Sequence, residues 1–399
     1  MLNISEYKKI IEKCSHCGFC MENCPVYQED LIQSHSARGR LGLIRAALVE
    51  GSLTVTPRLG EIMSRCLLCT NCRQTCATEI PVDEIVMTAR HEIFKGKRKS
   101  KVERYVMGRI MYQRGIHGLL KWAEALARAM GLSPKDVPAP ASRSFESRFS
   151  GLFSPKGEIR ARVAYYAGCA TNSLYPETGA DVLQVLTHNG IEVMVPEGLV
   201  CCGIPSLTEG DLDTVKVLVQ TNINILLHEQ VDAVITDCTS CGMMFKVKAA
   251  KVFSEDDPFR SKIEAVAQKI WEATDYLNHL GLAAAPNPLT EEYTYHIPCH
   301  RGWSETLNDA PRNLLSQVPQ ARRIEMKAPE RCCGAGGAFF LENRELSENI
   351  RAHKLEDILE TQAKTVLTQC PACRLYLEAA LPHQAVMHPL SFLGKAYKI

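Results

Sequence analysis

The sequence predicts two repeated α/β units with parallel sheets, preceded by a smaller, mostly helical domain of α+β class organised around cysteines. Three observations predict this. Eighteen of the 399 residues are cysteine, and the first eight fall in two copies of one run, C-x2-C-x2-C-x3-C. The last ten fall in two copies of a different pattern. Around those ten, short apolar runs of strand character alternate with helical periodicity.

The second pattern shows the repeat. One set is Cys169, Cys201-Cys202-Gly203 and Cys238-x-x-Cys241. The other is Cys299, Cys332-Cys333-Gly334 and Cys370-x-x-Cys373, trailing the first by 130, 131 and 132 residues. Residues 161–290 and 291–399 therefore read as two copies of one unit. In the first copy strands are expected at 162–167, 191–195 and 231–236, each shortly before a cysteine group. Helices are expected from Glu177 to His188 and from Asp213 to Glu229. In the second copy strands are expected at 293–298, 321–326 and 364–369. Strands alternating with helices imply a parallel sheet with right-handed crossovers, whose post-strand loops gather at one edge. All three cysteine groups of each copy then converge there, as one five-thiolate site per copy.

Adjacent cysteines in a regular strand point to opposite faces, so the paired cysteines need a sharp backbone turn, and the glycine after each pair permits it. Five thiolates exceed the four that a cubane or a tetrahedral zinc requires. Either one thiol per copy is a spare or catalytic group, or the cluster is unusual.

Residues 1–92 hold Cys14-x-x-Cys17-x-x-Cys20-x-x-x-Cys24 and Cys66-x-x-Cys69-x-x-Cys72-x-x-x-Cys76. Two residues between ligands let a tight loop point three thiolates at one cubane. In this bacterial ferredoxin run the fourth cysteine ligates the other cluster. The expected assignment is crossed: Cys14, Cys17, Cys20 and Cys76 on one cluster, and Cys66, Cys69, Cys72 and Cys24 on the other. Pro25 follows the first run, whereas Ala77 follows the second, which loosens that turn without removing a ligand. His16 reads as solvent-facing or as a neighbour of the cluster, and Gly18 as a turn glycine or a point of close backbone approach.

Residues 93–160 read as a basic helical connector and linker. Lys and Arg dominate from Lys95 to Arg128, and proline-containing stretches with little periodicity follow as far as Pro155. A basic amphipathic helix there packs on the cysteine-rich N-terminus or meets a partner or an anionic membrane surface.

Composition excludes several classes. A net charge of +1 supplies no field for nucleic acid. No apolar run reaches the ~18 residues a membrane span needs. The first residues lack a basic region followed by an apolar stretch, which predicts a cytoplasmic chain. Disulfides need an oxidising compartment, so cysteines in C-x-x-C groups here read as metal or cluster ligands.

The pattern C…CCG…C-x-x-C, twice over, resembles the cysteine-rich (CCG) domain of the heterodisulfide reductases and their relatives. With two ferredoxin runs in front, the whole chain resembles the iron–sulfur subunit of glycolate oxidase and the lactate-utilisation iron–sulfur proteins. Supporting stretches are Cys17-Gly18-Phe19-Cys20, Ala37-Arg38-Gly39-Arg40 and Cys332-Cys333-Gly334-Ala335-Gly336-Gly337. The resemblance implies two 4Fe-4S cubane clusters and one or two further, non-cubane 4Fe-4S clusters. These would be held by Cys169, Cys201, Cys202, Cys238 and Cys241, and by Cys299, Cys332, Cys333, Cys370 and Cys373. It also implies an FAD-containing dehydrogenase partner acting on a 2-hydroxy acid such as glycolate or lactate. Electrons would pass onward to a quinone or another carrier, with the chain peripheral at the inner face of the membrane. The competing implication is a thiol/disulfide reductase subunit whose disulfide-reducing site is Cys332, Cys333, Cys370 and Cys373. His296 and His300, on either side of Cys299, read as hydrogen-bonding neighbours of the site, with proton delivery as the sharper role.

Overall fold

A computed structural model describes residues 3–95, 140–337 and 339–399. The basic stretch read as a connector lies, beyond Lys95, outside the described residues as far as Ala139.

Among the described residues, nine strands form two sheets. The first contains β1 (Gly151–Phe153), β2 (Ala161–Tyr165), β3 (Ile191–Val195), β4 (Ala233–Thr236) and β5 (Ile270–Glu272), in the order β1-β3-β2-β4-β5. The second contains β6 (Glu292–Tyr295), β7 (Arg322–Arg323), β8 (Thr365–Leu367) and β9 (Ala385–Met387), in the order β7-β6-β8-β9. Setting β1 aside, the two orders are the same topology, and every one of these pairings is parallel. The repeat seen in the cysteines is therefore a repeat of fold. β2, β4 and β8 are apolar nearly throughout, as strands covered on both faces must be.

Helices Pro176–His188 and Leu212–His228 fall where periodicity placed them. The latter has a counterpart of equal length in Arg344–Glu360. The stretch read as linker is structured from residue 145 onward. Phe145–Arg148 is a helical turn whose Phe145 is buried, and β1 pairs antiparallel with β3 along the sheet edge.

Residues 3–95 are helical with no strand among them, so the expected α+β character of this domain reduces to its helices. Thr56 caps helix Pro57–Ser64, and Ser36 caps helix Ala37–Ile44 by accepting from the Gly39 amide. The domain docks on both α/β units. Asp83 and Glu84 of helix Val82–Phe94 meet the buried ammonium of Lys248, and Lys251 Nζ reaches Glu84 at 2.7 Å. His91 Nδ1 lies 2.8 Å from the Gly210 carbonyl, and Thr70 Oγ1 donates to the Cys299 carbonyl at 3.4 Å.

Candidate metal centres

In each α/β unit the central strand and its neighbour, β2 with β4 and β6 with β8, send their following loops to opposite sides of a crevice at the sheet edge. This is the topological switch point, where parallel sheets bind ligands. Cys169 opens a helix just after β2. Cys238 and Cys370 are the N-cap residues of the helices that follow β4 and β8, with φ, ψ of −130°, 114° and −126°, 110°. The matching angles show that both C-x-x-C turns are built alike, with the thiols at helix N-termini, where thiolate is favoured. After each cysteine pair the chain turns through a left-handed glycine, Gly203 at φ 97° and Gly334 at φ 85°. A side chain is rarely tolerated there, and the turn lets both thiols face one site.

The two five-cysteine sets open onto one space. Cys169, Cys201, Cys202, Cys238 and Cys241 line the same cavity, of about 210 Å³, as Cys299, Cys332, Cys333, Cys370 and Cys373. The units meet at the turns themselves: the Thr239 amide donates to the Gln369 carbonyl at 3.1 Å. The Gln369 side chain donates to Glu272 and Thr274 of the first unit, and Trp303 Nε1 donates to the Thr239 carbonyl. Spacing along the sequence placed each set at a sheet edge. It carried no signal that the two edges face each other.

Two smaller hollows lie in the N-terminal domain. One is lined by Cys14, Cys17, Cys20 and Cys76, the other by Cys24, Cys66 and Cys69, and Cys72 lines both. Each hollow thus gathers cysteines of both runs. Cys69 also lines the ten-cysteine cavity. The thiol-lined spaces therefore adjoin one another, from the exposed Cys17 to the buried cysteines of the second unit.

All eighteen cysteines are free thiols. Several of the buried ones resist ionisation on their own. Burial pushes Cys69 up to about 12 and raises Cys299 and Cys332 well above the ordinary thiol range. Hydrogen bonds to Cys201 and Cys333 are the first cause of the rise at Cys169 and Cys373. Cys202 and Cys370 move down instead, because Cys201 and Cys373 donate to them. Converging buried thiols that repel one another as thiolates are the donor set a cationic cluster stabilises, so the residues fit iron–sulfur ligation.

His16 is exposed, in keeping with its solvent-facing reading. Gly18 has φ 90° with open space where a Cβ would stand, which makes it a turn glycine. Pro25 begins a helix directly after the first run, whereas the second run ends in a turn closed by the Glu79 amide on the Cys76 carbonyl. His300 Nδ1 lies 3.0 Å from Ser240 Oγ, and its Nε2 lies 3.3 Å from the Leu68 carbonyl. It links the two α/β units to the second ferredoxin run.

The sequence reading missed the buried cations around the second hollow. The Arg40 guanidinium donates to the carbonyls of His35, Ile62 and Arg65, and that of Arg90 to Met63, Ser64, Cys66 and Thr208. Arg40 stood inside a stretch noted for resemblance, and that was its only signal.

The 4Fe-4S dicluster domain family matches residues 10–80, and the Cysteine-rich domain family matches residues 163–246 and 293–378. The chain is similar to glycolate oxidase iron–sulfur subunits. The probable glycolate oxidase iron–sulfur subunit of Bacillus subtilis is 26% identical over 94% of this chain and 89% of its own length. Lactate utilization protein A 2 of Bacillus cereus is 27% identical over 59% of this chain and 98% of its own. One subunit of the CoM/CoB fumarate reductase of Methanothermobacter marburgensis is 31% identical over 66% of this chain and 52% of its own. The resemblance read from the cysteines stands, and iron–sulfur clusters are the cofactor it supports. No described helix is long and apolar enough to cross a membrane.

Proposed function

We propose that this chain is the electron-relay subunit of a complex whose flavoprotein partner oxidises a 2-hydroxy acid of the glycolate or lactate type. The observation that carries the reading is the unbroken series of thiol-lined spaces, joined through Cys72 and then Cys69. Cys14, Cys17, Cys20 and Cys76 would hold one 4Fe-4S cubane, and Cys24, Cys66, Cys69 and Cys72 the other. The two five-cysteine sets would hold one or two further, non-cubane clusters. Bound clusters supply one-electron transfer. The protein's part is to hold the thiolates, to exclude water from the inner sites by burying Cys201, Cys202, Cys332 and Cys333, and to place Arg40 and Arg90 beside the second hollow.

Oxidation of a hydroxy acid needs a hydride acceptor, which one-electron clusters are not. No G-x-G-x-x-G follows any strand, and Gly334-Ala335-Gly336-Gly337 lies beside cysteines. The acceptor therefore belongs to an FAD-containing partner, with a quinone or another carrier, at the inner membrane surface or in the cytoplasm, taking the electrons onward. The purified chain should fail to oxidise glycolate or lactate with an artificial acceptor, and adding the flavoprotein should restore turnover. Turnover by the chain alone would refute the relay.

A second reading rests on the ten-cysteine cavity. Two thiol sets facing one buried space suit reductive cleavage of a disulfide between them. Catalytic cleavage of small disulfides by the chemically reduced chain, abolished in Cys332→Ala or Cys370→Ala, would favour it.

A further inference from the structure

The two α/β units share a topology but differ at the position three residues before the first cysteine of each set. Three residues before Cys169 stands Tyr166, and three residues before Cys299 stands His296. Tyr166 is buried, and its hydroxyl is spent on the Val200 carbonyl at 2.6 Å. His296 is also buried, 1% exposed; the Pro329 carbonyl neighbours its ring, and neither ring nitrogen makes a hydrogen bond of normal geometry among the described residues. Burying a polar ring nitrogen without a partner is unfavourable. A folded protein keeps such a group when something else takes up the nitrogen.

What stands next to the ring indicates what that is. A ring nitrogen of His296 and the thiols of Cys333 and Cys373 all lie within 4.8 Å of one another, and the two sulfurs are 3.2 Å apart. One imidazole nitrogen and two thiols from two different loops thus converge on one point. The Lys354 ammonium is the ring's nearest cationic neighbour. Lys354 Nζ is itself fixed by the Ala328 and Pro329 carbonyls, at 2.7 and 2.9 Å. Neutral imidazole is a metal ligand, whereas the protonated ring is not.

We propose that His296 is a nitrogen donor to the metal centre of the second α/β unit, which makes that centre a mixed cysteine–histidine site while the first remains all-thiolate. The proposal rests on the reading that the second five-cysteine set holds an iron–sulfur cluster. It adds a ligand that the cysteine pattern does not contain and makes the two copies chemically unequal. Where the neutral imidazole takes a metal position that one of the five thiolates would otherwise fill, it leaves less negative charge on the metal, and histidine-ligated iron–sulfur centres have higher reduction potentials than all-cysteine ones. Tyr166 has no free donor to offer, so the second centre becomes the one at which electrons settle. That ordering gives the relay a direction.

The test uses the full chain, purified anaerobically after labelling with 15N-histidine, with iron counted per chain. Pulsed EPR should show a histidine nitrogen coupled directly to a cluster. The coupling should persist in His300→Gln and vanish in His296→Phe. His296→Cys should retain iron, lose the nitrogen coupling and shift the potential of that centre downward. Because the labelled wild-type protein is informative without any substitution, misfolding of a variant does not blunt the test. A full iron complement of about 16 atoms, four per site, without nitrogen coupling would overturn His296 as a donor and leave the cluster reading intact. Coupling that survives in His296→Phe would overturn it equally. About eight iron atoms, with zinc in the second half of the chain, would overturn the cluster reading itself and the proposal with it.

Discussion

Arg40 is only 1% exposed, yet it carries a charge into the interior beside Cys24. Its guanidinium fork spans the carbonyls of His35, Ile62 and Arg65, tying the loop after the first ferredoxin run to the helix before the second. Removing it takes the guanidinium donors from three carbonyls and also takes a positive charge away from the second hollow. Arg40→Met should therefore lower stability by roughly 3 kcal/mol and make the reduction potential of the cluster at Cys24, Cys66, Cys69 and Cys72 more negative. Anaerobic urea unfolding and an EPR-monitored redox titration read the two effects separately. An unchanged potential would reduce Arg40 to a structural brace. The cysteines were legible because ligand spacing is local. The role of Arg40 was not, since two of its partners lie 22 and 25 residues away and come into reach only in the folded chain. The same holds for His296, whose position beside Cys299 was visible but whose approach to Cys333 and Cys373 was not.

At the scale of elements, the strands next to the cysteines were legible from their apolar runs, and right-handed crossovers then fixed the sheets. β1, β5 and β9 were not, because each is only three residues long with no cysteine group after it to mark its end, and β1 lies in a stretch rich in Ser and Pro. The docking of the N-terminal helices was equally hidden. It centres on Lys248, 4% exposed, against Asp83 and Glu84. Breaking a buried pair by deleting one partner costs about 3–5 kcal/mol, so Lys248→Met should loosen the domain contact by that order. Hydrogen exchange across helix Val82–Phe94 would detect it, and unchanged protection would count against the docking role. Glu84 gives the accompanying pH dependence. Burial alone would raise its pKa, but Lys248 and Lys251 outweigh burial and hold it below the usual carboxylate range. A depressed folded value means the contribution is complete above the unfolded carboxylate range and is lost as pH falls through the folded value. The wild-type protein should thus lose stability on acidification more steeply than Glu84→Gln.

On the scale of the whole molecule, the second hollow is the only link among the described thiol-lined spaces between the hollow at Cys17 and the ten-cysteine cavity. The repeat and the two runs were legible as separate sites, but their succession was not, because it depends on how three domains pack. Ligation and succession can be tested together with Cys24→Ser. Cys24 belongs to the first run by sequence, yet it shares its hollow with Cys66, Cys69 and Cys72. If that hollow holds a cubane, the variant should lose or alter the cluster of the second run and spare the one at Cys14, Cys17 and Cys20. Cys76→Ser should do the reverse, and each should match the EPR fingerprint of a serine variant from the opposite run, Cys69→Ser and Cys17→Ser respectively. A change confined to the mutated residue's own run would refute crossed ligation. The relay makes a further demand on the same Cys24→Ser protein. When a flavoprotein partner and its substrate drive reduction, electrons should reach the clusters on one side of the damaged hollow and stop there, whichever side faces the partner. Rapid-freeze EPR would follow both ends at once. Equal reduction of both ends at the wild-type rate would mean that electrons bypass the second hollow, and the adjoining thiol-lined spaces would then not be the path.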